Sequence, residues 1–159
     1  MSPEVKLLLR FLDEGFEKKA WHGPNMHGSV RGVTAAEAAW RPGPGRHNIW
    51  EIVLHAAYWK YAVRRRLSGG KRGSFALKGS NWFAAGEAEG APRWEDAVSL
   101  LVREHAALRR EVAALTAGDL GRTPPSGGKV KIEILVRGIV LHDIYHAGQI
   151  QLIKRMKRK

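Results

Sequence analysis

The stretch Lys131–Lys159, KIEILVRGIVLHDIYHAGQIQLIKRMKRK, decides the fold. Its apolar residues recur at three- and four-residue intervals, the period of a helix rather than a strand. Lys and Arg fill its last turns, where cations complement the helix dipole. On a helix, His142 and His146 stand one turn apart, with Cβ atoms about 5–6 Å apart. Leu135, Gly138, Ile139, Gln149 and Ile153 project to the same side, so the histidine pair is expected to face a core. Two imidazoles in an apolar core need a partner, because buried polar groups must be satisfied. A single cation at about 2.0–2.1 Å from both ring nitrogens would serve.

Working backwards along the chain, Asn48–Leu67 reads NIWEIVLHAAYWKYAVRRRL and is apolar around most of its circumference. Such a helix is buried. His55 lies within it, on a line with Asn48, Glu51, Ile52 and Trp59, and offers a third inward imidazole from a neighbouring helix. Three protein ligands with a fourth position left open are the arrangement of a catalytic metal site.

Two further helices complete the pattern. Pro3 follows Ser2 as a first helical residue after its cap, and Leu8, Phe11, Leu12 and Phe16 carry that helix to about Trp21. Another runs from about Trp94 to Thr116. Thr34-Ala-Ala-Glu37 is a capping box that opens a short helix ending near Trp40. Breakers separate these elements at His22–Asn25, Arg41–Gly45 and Gly121–Gly128. Residues 69–92, rich in Gly, Ala and Lys, read as a long irregular connection. The expected fold is all-α, an up-and-down four-helix bundle with long crossover connections, in one domain over residues 1–159.

Composition bounds the function. The chain has 159 residues, 44% apolar and 26% charged, the balance of a globular protein. It has no cysteine, which excludes disulfides, thiolate zinc sites and thiol nucleophiles of its own. The N-terminal residues mix acids with apolar side chains, unlike a signal peptide, and no apolar run reaches the roughly 20 residues of a membrane span. A cytoplasmic location is expected. The formal charge is +12. Residues 1–80 hold fourteen bases and six acids, and residues 81–159 thirteen and nine, so the excess is spread. No nucleic-acid-binding motif accompanies it. Nucleic-acid binding is expected to be at most weak and non-specific, arising from counterion release.

The pieces Ala20-Trp21-His22-Gly23-Pro24, Trp40-Arg41-Pro42, His47–His55 and His142-Asp143-Ile144-Tyr145-His146-Ala147-Gly148-Gln149-Ile150 resemble, in order and spacing, the DinB (YfiT-like) superfamily. The resemblance implies a divalent metal, zinc or nickel, held by His55, His142 and His146, and often a homodimer. It also implies chemistry of the kind found in members that are thiol S-transferases or a mycothiol-dependent maleylpyruvate isomerase, with a low-molecular-weight thiol as partner. Two other classes stay open: a non-enzymatic nucleic-acid-associated or DNA-damage-response protein, and a metal-stabilised structural bundle.

The remaining candidates carry weaker signals. Glu51, His22 and Gln149 are candidates for the pocket or for supporting the ligands. Asp143 projects away from His142 and is expected to pair with a neighbouring cation. His105 lies on an apolar face and reads as a hydrogen-bonded core residue. His47 reads as a capping or packing residue and His27 as a surface one, while the six Trp are expected mostly in the core. Val136, Val140, Ile144 and Ala147 form a second apolar line on the last helix. A dimer partner, or the 69–92 segment folding back, is expected to cover it.

Overall fold

The computed structural model describes residues 1–126 and 128–158. These residues form helices and loops, with no strand among them. Four long helices make the bundle: α1 (Pro3–Phe16), α4 (Ile49–Ser68), α5 (Trp94–Ala113) and α7 (Ile132–Lys157). Three short ones sit in the connections: α2 (Met26–Val30), α3 (Ala35–Ala39) and α6 (Ala117–Leu120).

The side-chain pairings fix the directions. Trp50 meets Trp94 edge-on and Arg64 pairs with Glu104, so α4 and α5 run parallel. Arg109 grips Asp13 through two bonds of 2.6 and 3.0 Å, and Phe16 stacks on His105, so α1 runs against α5. The start of α4 packs with Ile150 and Ile153 and its end, Val63 and Leu67, with Ile132 and Val136, so α4 runs against α7. The order is up, down, down, up, not the alternating up-and-down order expected, because the long crossover returns the chain to the starting end of α4 before α5 begins. The crossover of residues 69–93 carries the chain back along the bundle between the two parallel helices.

The core has two parts, one at each end of the bundle. Phe16, Met26, the first half of α4, Trp94, Leu101, Ile150 and Ile153 fill one. Val5, Leu8, Leu12, Val63, Leu108, Val112, Val136 and Ile139 fill the other. Full burial of a side chain such as Leu12 contributes about 1.5–3 kcal/mol. Polar groups occupy the level between them, and the histidines stand there.

The local signals explain the helix starts. Ser2, Asn25, Thr34 and Asn48 each cap a helix, and Thr34–Glu37 closes the capping box expected of it. Asn48 makes a second box with Glu51 and also donates to the Ala39 carbonyl at 3.2 Å, which ties α4 to the end of α3. The first helix stops at Phe16 rather than Trp21, since the backbone turns at Glu17 and Lys18 to bond back to the Asp13 carbonyl. The Lys18 carbonyl then accepts from Asn25, the cap of the unexpected α2.

Two packing expectations are corrected. On the line Val136, Val140, Ile144 and Ala147, the first and last are buried within the chain and α1, not residues 69–92, packs on Val140 and Ile144. The cover is close: a Cβ on the buried Gly15 would lie 3.0 Å from Val140 Cγ1. Of the six Trp, only Trp50 and Trp94 are buried; Trp21 is fully exposed. Phe11 also points outward, and Leu9 takes its place in the core.

Candidate metal centre

The three Nε2 atoms of His55, His142 and His146 converge between α4 and α7. His142 Nε2 lies 3.1 Å from that of His55 and 3.1 Å from that of His146. His55 and His146 are buried and His142 is half-buried.

Neighbouring groups fix which nitrogen faces inward. His55 Nδ1 donates to the Asn81 carbonyl at 2.9 Å, and a carbonyl can only accept. His146 Nδ1 donates to Gln149 Oε1 at 2.6 Å, while Gln149 Nε2 donates to the Tyr145 hydroxyl at 3.2 Å. Both rings therefore turn an Nε2 lone pair towards His142 Nε2. One ring proton cannot satisfy such a meeting of acceptors, whereas one cation can. With a nitrogen–metal distance of 2.0–2.1 Å, two ligands of a tetrahedral ion lie about 3.3 Å apart. The observed separations fit that requirement, so the three histidines can hold a metal ion. His142 Nδ1 is buried without a partner.

Electrostatics keeps the rings neutral, as ligation requires. Burial, aided by the neighbouring His146, His55 and Lys60, pushes the His142 pKa down to about 3. Burial also pushes His146 down to about 4, against the opposing hydrogen bond from Gln149. His55 is lowered by burial too, partly offset by its bond to Asn81.

The crossover supplies what sequence reasoning missed. Asn81 has a positive φ of 65°, which Asn tolerates better than most residues. From there its carbonyl holds His55 and its side-chain oxygen accepts from Trp59 Nε1 at 2.9 Å. Trp82 then lies between two parallel rings, 3.9 Å from His55 and 3.5 Å from His47. Ser80-Asn81 has the composition of a turn, but nothing local says which histidine its carbonyl will meet.

The other candidates fall out as follows. Gln149 supports His146 directly. His22 is exposed on the loop after α1 and stands apart from the triad. Glu51 is occupied: Arg41 reaches it at 2.7 and 3.0 Å, His47 at 3.0 Å and the Asn48 amide at 3.2 Å. Burial raises its pKa, but these bonds outweigh burial and leave it below the ordinary value, so it serves as cap and ion pair. His47 packs on Trp82 beside that cluster. His27, expected at the surface, is half-buried and stacks on Phe16. Asp143 pairs with Lys60 at 2.5 Å, both fully buried. His105 is a core residue, but its hydrogen bonds are absent: neither ring nitrogen has a partner.

A groove of about 880 Å³ runs beside the triad, between residues 42–47 and the second half of α7. His146, Trp82, Tyr145 and Gln149 form its inner wall, and Arg46, Leu152 and Met156 lie further out. Three converging imidazoles beside an open groove, in a four-helix bundle, define a histidine-site helical protein. The chain belongs to the DinB superfamily, whose family model matches residues 20–150. Comparison with curated proteins gives no match.

Proposed function

We propose that the protein is a divalent-metal-dependent enzyme of the thiol S-transferase type. The observation that carries the reading is the convergence of three imidazoles, with His142 Nε2 3.1 Å from the Nε2 of both His55 and His146, next to an open groove that His146 lines. A purely structural metal site would be closed on all sides. Zinc or nickel at three neutral imidazoles would supply a Lewis acid that favours the thiolate form of a thiol.

The chain's own residues define the rest. Trp82, Tyr145, Leu152 and Met156 offer aromatic and apolar surface for an electrophile, and the Arg46 guanidinium attracts an anionic group. Tyr145 accepts from Gln149, which leaves its hydroxyl proton free to donate into the groove. A low-molecular-weight thiol is the expected nucleophile, since the protein has no cysteine. A reducing, cytoplasmic location suits such a thiol.

The experiment is elemental analysis of protein purified without added metal, followed by thiol consumption with a panel of electrophiles. Stoichiometric zinc or nickel, and turnover lost in His142→Ala, are the expected results. Stoichiometric metal with no turnover across several thiols would favour the structural bundle instead.

A homodimer is part of the proposal, supported by a face other than Val136–Ala147. Ile134, Leu141, Tyr145, Leu152 and Met156 are exposed along one side of α7, and a partner seated on Ile134 and Leu141 would form an outer wall of the groove that Tyr145, Leu152 and Met156 line. A stripe of that length is more apolar than a monomer surface usually presents. Leu141→Asp should shift the sedimentation profile to monomer; a monomeric unsubstituted protein would reject the interface.

A further inference from the structure

A second cavity of about 740 Å³ lies between α4 and the crossover, and none of the three histidines lines it. Tyr58, Trp59 and Phe75 wall it, and Arg65, Arg66 and Arg72 border it. The same three arginines also border an adjoining cavity of about 340 Å³. Among the described residues, none of the three has a carboxylate within 4.0 Å, whereas their neighbour Arg64 pairs with Glu104. Three guanidiniums thus share one place without an internal counterion.

The end of α4 explains only part of this. A helix C-terminus carries about half a negative charge, which suits Arg65 and Arg66. Arg72 lies beyond the helix, in the crossover, and three full charges exceed that half charge several-fold. Contacts within the chain brace the cavity's walls. The Ser74 amide donates to the Tyr61 hydroxyl at 3.1 Å, and Phe75 packs against Tyr58, Tyr61 and Phe83 with centroids 5.2–5.4 Å away.

We propose that this cavity binds a small molecule joining a phosphate to a planar aromatic body, with the dimensions of a mononucleotide. Arginine forks match phosphate oxygens bidentately. Aromatic walls suit a flat ring, and the volume lies within the range of small-molecule sites. The site is separate from the histidine triad, so it stands whether or not the transferase reading does.

The test is calorimetric titration of the full chain, metal-loaded and metal-free, with AMP, adenosine and inorganic phosphate at about 0.15 M salt. AMP should bind at one site per chain, at least about tenfold more tightly than adenosine or phosphate alone. Arg66→Gln with Arg72→Gln should weaken AMP by about tenfold or more and leave metal content unchanged. Arg72→Glu, a single change outside the helices, should weaken it comparably and guards against a folding defect in the double variant. Equal binding of AMP and adenosine, equal binding of AMP and phosphate, or AMP affinity unmoved by these variants would overturn the site. So would an absence of saturable AMP binding alongside oligonucleotide affinity that grows with length, which would mark a general polyanion surface.

Discussion

Two groups of buried polar side chains lie within the bundle, and they are built on opposite principles. In the triad, His142 Nε2 meets the Nε2 of both other rings, and two of the three rings are held from behind by Asn81 and Gln149. A few residues away, Lys60 pairs with Asp143 Oδ2 while Asp143 Oδ1 has no partner, and His105 stacks on Phe16 with both nitrogens unpartnered. The first group has aligned lone pairs, a backing of hydrogen bonds and a groove. The second has charge neutrality but neither convergence nor access. Buried histidine alone therefore says little about metal binding; convergence of lone pairs carries the argument.

Breaking the buried pair should have the largest effect on stability. Lys60→Met removes the cation that opposes the upward push of burial on the Asp143 carboxyl and leaves that group buried without its partner, whether it stays charged or takes up a proton, at a cost of about 3–5 kcal/mol by chemical denaturation. Metal content of the folded fraction should survive. If Lys60→Met is as stable as the parent, the pair contributes little and the contrast drawn above weakens.

Within the triad, alanine at His55, His142 or His146 should weaken metal binding by about a hundredfold or more, beyond the loss expected for a supporting residue. His105→Leu should leave metal content intact. Retained metal in His55→Ala alongside loss in His105→Leu would reverse the two groups' roles. Gln149→Leu removes the acceptor behind His146 and should cost about tenfold in metal affinity, read by competition with a chelator. An unchanged affinity would mean that packing alone orients the ring.

The two groups also differ in what acid does to them. Burial, with the charges of Lys60, Arg109 and His27, pushes the His105 pKa down to about 2. An unfolded histidine titrates near 6.5. As pH falls below about 6.5 the unfolded chain takes up a proton that folded His105 refuses, so stability drops, by about 1.4 kcal/mol per unit of pH from this residue. His105→Leu should remove that share of the acid sensitivity, measured on metal-free protein. The sequence alone places metal loss near pH 6.5. With His142 near 3 and His146 near 4, loss should instead begin well below that value. The smallest effect is expected at neutral pH, where His105→Leu should stabilise by about 1 kcal/mol because it removes two unsatisfied nitrogens. A destabilised His105→Leu protein would mean that the stack on Phe16 contributes more than those nitrogens cost.

The sequence by itself determined the four long helices, the Ser2 cap of α1, the Thr34–Glu37 box of α3 and the inward pair His142 and His146, because capping and amphipathic period act over a few residues and leave a local trace. It also pointed to His55 through a helix apolar on nearly every side, and to Asp143 as the partner of a cation. Only the tertiary structure decided that α1 covers Val140 and Ile144, since a glycine at position 15 shows its purpose only when another helix lies 3.0 Å from its missing Cβ. The same holds for Lys60 as the cation of Asp143, for Glu51 drawn away by Arg41, and for Asn81 and Trp82 as the supports of His55. Each of these is a contact between residues far apart in the chain. Its energy depends on a distance that no window of sequence contains.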